Sequence, residues 1–181
     1  MVILYAIVAF IGAVSAINLL LIFGVIRRLR EQHQPASVTH SSDDPELLSP
    51  DSLVGDFTAI DLDRRQVSRE QLADRTLVGF FAVGCAPCKE SLPLFVAAAR
   101  AHGGDRDRGL AVITGASDDV DAQPYVQPLS QVARVVYQEV DGSLPGAFSV
   151  RAFPSFFVLD GTGRVRASAI DVETLLAMAP A

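Results

Sequence analysis

Tryptophan is absent from this chain of 181 residues, cysteine occurs twice and histidine three times. Two cysteines three positions apart, Cys85 and Cys88, cannot form the disulfide framework that staples a small secreted fold, so their use is local and chemical. A zinc site would need two further ligands, and only His33, His40 and His102 are on offer, the first two in a polar stretch near the N-terminus. Basic clusters are missing everywhere except just after residue 26, and the formal net charge is −6, which leaves no long electropositive surface for phosphates. Nucleic acid is therefore not an expected partner. No metal, nucleotide or flavin motif is visible, no cofactor is expected, and there is no internal repeat.

Charge is also absent from Val2 to Ile26, where Ser15, Asn18 and the phenol of Tyr5 are the polar groups. At about 1.5 Å per residue such a run spans a hydrocarbon core about 30 Å thick. A cleavable secretory signal would carry a basic start and a shorter apolar run; this stretch lacks the first, exceeds the second and ends in Arg27, Arg28 and Arg30. The expectation is a retained transmembrane helix over residues 2–26. The arginines behind it argue that the C-terminal side is cytoplasmic. Residues 27–52 are polar and proline-bearing without an apolar period, the composition of a flexible tether, and residues 53–181 remain as one domain of ordinary size.

Within that domain, Phe57–Leu62 and Gln66–Ser68 flank Asp63-Arg64-Arg65 and predict a hairpin. The run Thr76–Val83 is continuously apolar, the signature of a strand buried on both faces. From Cys85 to His102, Leu92, Phe95, Val96 and Ala99 recur at helical spacing, with Gly103-Gly104 to end the helix. Strands are expected at 110–114 and 135–137, a helix near 126–132 after an irregular Asp/Pro-rich stretch, and a helical turn near 144–148. Phe156–Leu159 and Val165–Ala169 flank Asp160-Gly161-Thr162-Gly163 as a second hairpin, and Asp171 caps a closing helix through Met178. The order predicts an α/β domain, a central mixed sheet with helices on both faces.

The cysteines fall where a buried strand turns into a helix. A helix N-terminus carries about half a positive charge and unpaired N–H groups, which favour the thiolate at Cys85. Cys88, one turn on, is placed to attack a mixed disulfide formed there, and Pro87 restricts the turn without needing an N–H. This assigns Cys85 as attacking thiol and Cys88 as resolving thiol, the pair itself being the redox group. Two inert core cysteines are the plain alternative.

The segment Phe80–Pro93, with C-A-P-C at 85–88, resembles the active-site strand and helix of thioredoxin-like proteins, Pro93 matching their helix-kinking proline. Phe153-Pro154-Ser155-Phe156-Phe157 resembles the family's second motif, which implies that Pro154 is cis and faces the cysteines. The resemblance makes Phe153 and Pro154, with Ala86 and Pro87, the platform for a substrate polypeptide. With Gly55-Asp56-Phe57 and Val158–Val165, the pattern is similar to the TlpA-like branch of membrane-anchored thiol:disulfide oxidoreductases, and the span and tether to its MauD-like members.

That resemblance implies an enzyme exchanging disulfides with protein thiol substrates, a reductase or maturation factor, supplied by a redox partner protein. It also implies a domain facing outward from the cell membrane, against the arginine count. Three positions depart from the family: Gly84 stands for the tryptophan before the first cysteine, Gly79 for the buried acid, and Phe153 for a threonine. Glu90 and Asp160 are the acids on offer to substitute for Gly79, though surface solvation and turn formation suit them better. A weakly catalytic redox-sensing or partner-binding adaptor stays open as an alternative. A thiol peroxidase is disfavoured, because no P-x-x-x-T-x-x-C motif occurs.

Overall fold

The computed structural model describes Tyr5 and residues 47–102, 105–115 and 119–179. Apart from Tyr5, the expected membrane span and residues 27–46 of the expected tether lie outside these. Among the described residues no helix is long and apolar enough to cross a membrane.

The domain contains β1 (Thr58–Ile60), β2 (Gln66–Ser68), β3 (Thr76–Ala82), α1 (Ala86–Ala101), β4 (Gly109–Thr114), α2 (Asp119–Leu129), β5 (Arg134–Gln138), α3 (Ser143–Ala147), β6 (Ser155–Leu159), β7 (Val165–Ala169) and α4 (Val172–Met178). Five strands form one sheet in the order β5-β4-β3-β6-β7, while β1 and β2 form a separate hairpin. β3 and β4 pair parallel, as do β4 and β5; β6 runs antiparallel to β3 and to β7. The expected central mixed sheet is present.

Alternation along each strand divides the core in two. Leu77, Phe81, Ala111, Ile113, Val135, Phe156 and Val158 face α1, α2 and α4, whereas Val78, Phe80, Leu110, Val112, Val136, Phe157 and Leu159 face the hairpin and α3. Because both faces are covered, the strands read as unbroken apolar runs. Phenylalanine supplies the bulk that tryptophan would otherwise bring. Phe81, Phe95 and Phe156 form one aromatic group with centroids 5.4 to 5.8 Å apart, and Phe80, Phe148 and Phe157 form the other at 5.1 to 5.9 Å.

Both sheet edges are covered. At β5, Leu62 N–H donates to Val135 O, and the Arg134 guanidinium binds the buried Asp61 carboxylate at 2.8 Å and Gln66 O at 2.8 Å. At β7, Asp51 N–H donates to Val165 O, Val165 N–H to Ser52 O, and the Ser168 hydroxyl to Leu48 O. Residues 47–52, which composition places in the tether, are thus docked on the domain. The unpaired edge of β7 offers backbone partners that the apolar-period test does not register.

Two elements differ from expectation. The helix near 126–132 begins at Asp119 and ends at Leu129, although Pro124 and Pro128 lie inside it. Prolines suggest a loop, but Ala122, Tyr125 and Leu129 recur at helical spacing and bury against the sheet, and that burial outweighs the lost backbone bonds. α1 ends at Ala101 with His102 as its C-cap residue, while Gly103 and Gly104 lie outside the described residues.

Burial pushes the Asp61 carboxyl upward, but the Arg65 N–H and the hydrogen bond and charge of Arg134 outweigh it and hold the group below the ordinary aspartate range. A depressed folded-state value contributes stability above the unfolded value, about 3.9, that is lost as pH falls through the folded one. Asp61→Asn is therefore expected to destabilise the domain at pH 7 and to cost progressively less below about pH 4. Urea denaturation at several pH values checks this, and a penalty independent of pH would refute it.

Candidate active site

β3 leaves the sheet at Ala82, and the chain reverses through Gly84, whose φ of +82° is a left-handed conformation that side chains rarely adopt. A side chain at this position would be strained in this backbone. Cys85 is the N-cap residue of the 16-residue α1, followed by Ala86 and Pro87 in the first turn. No acidic residue stands in that turn to oppose an anion. Pro93 lies within the helix, which continues through it.

Cys85 and Cys88 are joined by a disulfide with Cα atoms 5.3 Å apart. The two sulfurs are unequal. Cys85 is partly exposed, and its Sγ accepts the Cys88 N–H at 3.1 Å and lies 3.6 Å from Phe153 O. Cys88 is fully buried and accepts the Ala82 N–H at 3.5 Å. An exposed sulfur at a helix N-terminus beside a buried one is the arrangement by which one sulfur meets an outside partner and the other follows from within.

The Phe153–Pro154 bond is cis. Phe153 is half-buried and packs against both core clusters, which brings its carbonyl to Cys85 from the start of β6. Cys85, Cys88 and the Phe153-Pro154 segment thus meet although 68 residues separate Cys85 from Phe153. Ala86 and Pro87 are exposed on the helix side of the same face.

The position of the missing acid is closed. A Cβ on Gly79 would stand 2.7 Å from Phe95 Cε2 and 2.9 Å from Phe81 Cε2, so aromatic rings occupy the space an aspartate would need. Neither candidate substitute reaches the cysteines. Glu90 is exposed on α1. Asp160 lies beyond the end of β6 opposite to Pro154, where its Oδ1 accepts bonds from the Thr162 hydroxyl, Thr162 N–H and Arg164 N–H. Its carboxyl is held below the ordinary range chiefly by the Thr162 hydroxyl, as a turn-forming carboxylate.

His102 stands at the far end of α1 from the cysteines, about 24 Å along the helix. Burial, followed by the charge of Arg75, lowers its pKa. It is therefore placed apart from the cysteine chemistry.

Two buried side chains that sequence reading passes over also reach this turn. The Thr114 hydroxyl, at the end of β4, donates to Phe81 O at 3.3 Å, and the Tyr125 hydroxyl on α2 donates to Ala82 O at 3.2 Å. Burial raises the Tyr125 pKa, which keeps its proton in place as a donor. The signal available in sequence was a hydroxyl residue closing an apolar strand, at the carboxyl end where parallel sheets present their sites.

A thioredoxin fold with a half-exposed cysteine pair opposite a cis-proline defines the class of this chain. No family model matches it. Among characterised proteins it is similar to the thiol-disulfide oxidoreductase YkuV of Bacillus subtilis, 29% identical over 106 residues that cover 56% of this chain and 71% of YkuV. Among solved structures it is similar to the thioredoxin domain of a thiol-disulfide oxidoreductase from Bacteroides vulgatus, with TM-score 0.58, 20% identity and coverage of 72% of this chain and 94% of that one. A thio-disulfide isomerase from Thermus thermophilus superposes with TM-score 0.57 at 18% identity, covering 73% and 98%. The chain has the thioredoxin fold of these structures and is similar in sequence to a thiol-disulfide oxidoreductase.

Proposed function

We propose that this chain is a thiol:disulfide oxidoreductase acting on protein substrates through Cys85 and Cys88, in the reducing or maturing direction. The observation that carries the reading is the asymmetry of the pair, Cys85 partly exposed at the start of α1 and Cys88 buried behind it. In a reductive turnover the Cys85 thiolate attacks one sulfur of a client disulfide. The client S–S bond breaks, one client sulfur leaves as a thiolate, and Cys85 is joined to the other. The Cys88 thiolate then attacks Cys85 Sγ, the second client sulfur leaves, and the Cys85–Cys88 disulfide closes. Two electrons pass from the pair to the client. A thiol donor protein must return them before the next turnover.

Phe153, Pro154, Ala86 and Pro87 form the platform on which the client chain lies in this reading. Their position supports it: the Phe153 carbonyl lies beside Cys85, Ala86 and Pro87 are exposed next to it in the first turn of α1, and the buried Pro154 follows Phe153 through a cis bond. Residues 2–26 hold the domain at the membrane through residues 27–46, supported by the uncharged run and its length. The domain faces outward, where exported clients carry disulfides. Alkylating the cysteines of intact cells with an impermeant reagent tests that orientation, and protection until lysis refutes it.

Equilibrating the full-length chain in dithiothreitol or glutathione buffers tests the function. A potential near about −270 mV together with turnover of a protein disulfide establishes a reductase, whereas one near about −120 mV makes the protein an oxidant. A pair that fails to cycle removes the enzymatic reading and leaves a partner-binding adaptor.

A further inference from the structure

We propose that Thr114 is a positioning residue for the second half of the exchange, stabilising the Cys88 thiolate through the Phe81–Ala82 peptide in a site that lacks the family's buried proton acceptor. The proposal rests on the thiol-exchange reading above. Its starting point is a deficit. Cys88 is fully buried in an apolar cluster, where an anion without a donor is strongly disfavoured. The Phe81 and Phe95 rings close the space beside Gly79, and Glu90 and Asp160 lie elsewhere.

The group that does meet Cys88 Sγ is the Ala82 N–H. The carbonyl of that same peptide unit is Phe81 O, and it accepts the Thr114 hydroxyl. A peptide whose carbonyl is engaged donates more strongly through its N–H, because successive hydrogen bonds polarise one another in a low-dielectric interior. Hydroxyl, peptide and sulfur therefore form one chain of dipoles ending on Cys88. The next peptide unit is held as well: Ala82 O accepts both the Tyr125 hydroxyl and the Cys85 N–H. Thr114 is itself completely buried in a strand whose other residues, Gly109 to Ile113, carry no polar side chain. Packing alone would be served as well by valine.

Among the described residues, the charged side chains on the elements around Cys88 point to solvent. β3 carries none, and Arg151 in the loop before Pro154 is exposed. Lys89 and Glu90 on α1 and Asp121 on α2 are likewise exposed. In the step concerned, the Cys88 thiolate supplies the electron pair for the new bond to Cys85 Sγ, the Cys85–client bond breaks, and the client leaves as a thiolate. Stabilising the thiolate raises the fraction ready to attack at neutral pH.

The test uses the reduced full-length chain and excess 5,5′-dithiobis(2-nitrobenzoate). Attack by Cys85 releases one thionitrobenzoate, and attack by Cys88 on the resulting mixed disulfide releases a second, so the two phases report the two thiols separately. Thr114→Val is expected to raise the pH midpoint of the second phase by about half a unit, slowing it roughly threefold at pH 7. The first phase is expected to stay unchanged, and Thr114→Ser, which keeps the hydroxyl, to restore the wild-type midpoint. Thr114→Ala carries the same comparison if Thr114→Val does not fold. An unchanged second-phase midpoint, or equal slowing of both phases, overturns the assignment while leaving thiol exchange intact. Release of a single equivalent by the wild-type protein overturns the exchange reading, and this proposal with it.

Discussion

Cys88→Ser is expected to leave the protein covalently joined to its clients, while Cys85→Ser joins to nothing. The physical reason is the difference in access. Cys85 sits partly exposed at the N-terminus of α1, so a client sulfur reaches it and a mixed disulfide forms there. The group that clears this intermediate is Cys88, buried one turn further along, and a serine hydroxyl in its place is no nucleophile at neutral pH. Catalysed turnover is expected to fall by at least about 10³-fold in either variant, the scale on which loss of a covalent nucleophile registers. The adducts distinguish them: non-reducing electrophoresis of Cys88→Ser shows dithiothreitol-sensitive conjugates that Cys85→Ser lacks. Conjugates formed mainly by Cys85→Ser would reverse the assignment of attacking and resolving thiols.

Restoring the missing acid as Gly79→Asp is expected to damage the protein rather than improve it. A Cβ at this position would meet Phe95 and Phe81 at 2.7 and 2.9 Å, and both rings are themselves packed against Phe156. Overpacking of this kind costs about 1–3 kcal/mol, and the carboxyl group would add the cost of a polar group enclosed by aromatic carbon. A loss of about 4 kcal/mol in total corresponds to a fall in Tm of roughly 15 °C for a domain of this size. Gly79→Ala, which adds the methyl without the acid, is expected to show about half the effect. Thermal denaturation of both variants decides. A Gly79→Asp protein as stable as wild type would mean that the rings move aside and the site can accept a carboxylate after all.

Much of this architecture was legible in one dimension because it follows from local chemistry. The apolar run 76–83 needs two covered faces, and it has them. Asp160-Gly161-Thr162-Gly163 turns a hairpin because an aspartate can bond forward to the N–H groups of Thr162 and Arg164. Asp171 starts α4 by accepting the Thr174 N–H. Cys85 and Cys88 are three residues apart, and a helix start is a local event, so the candidate redox pair could be located before any tertiary contact was known.

α2 was less legible because two prolines weigh against a helix locally, whereas the burial of Ala122, Tyr125 and Leu129 that favours it depends on a sheet formed by distant segments. The docking of residues 47–52 was hidden for a related reason, since backbone pairing with β7 leaves no mark on composition.

The sequence by itself determined the strands, the start of α1, the cysteine pair and, through family resemblance, the proline that faces it. The tertiary structure alone decided that Cys85 is reachable and Cys88 enclosed, that two phenylalanines fill the space of the absent acid, and that Thr114 and Tyr125 converge on the turn before the cysteines. Spacing and propensity act between neighbours along the chain. Burial and hydrogen bonding to a buried sulfur depend on which remote segments arrive beside it, and β4 and α2 bring their hydroxyls from 29 and 40 residues beyond Cys85.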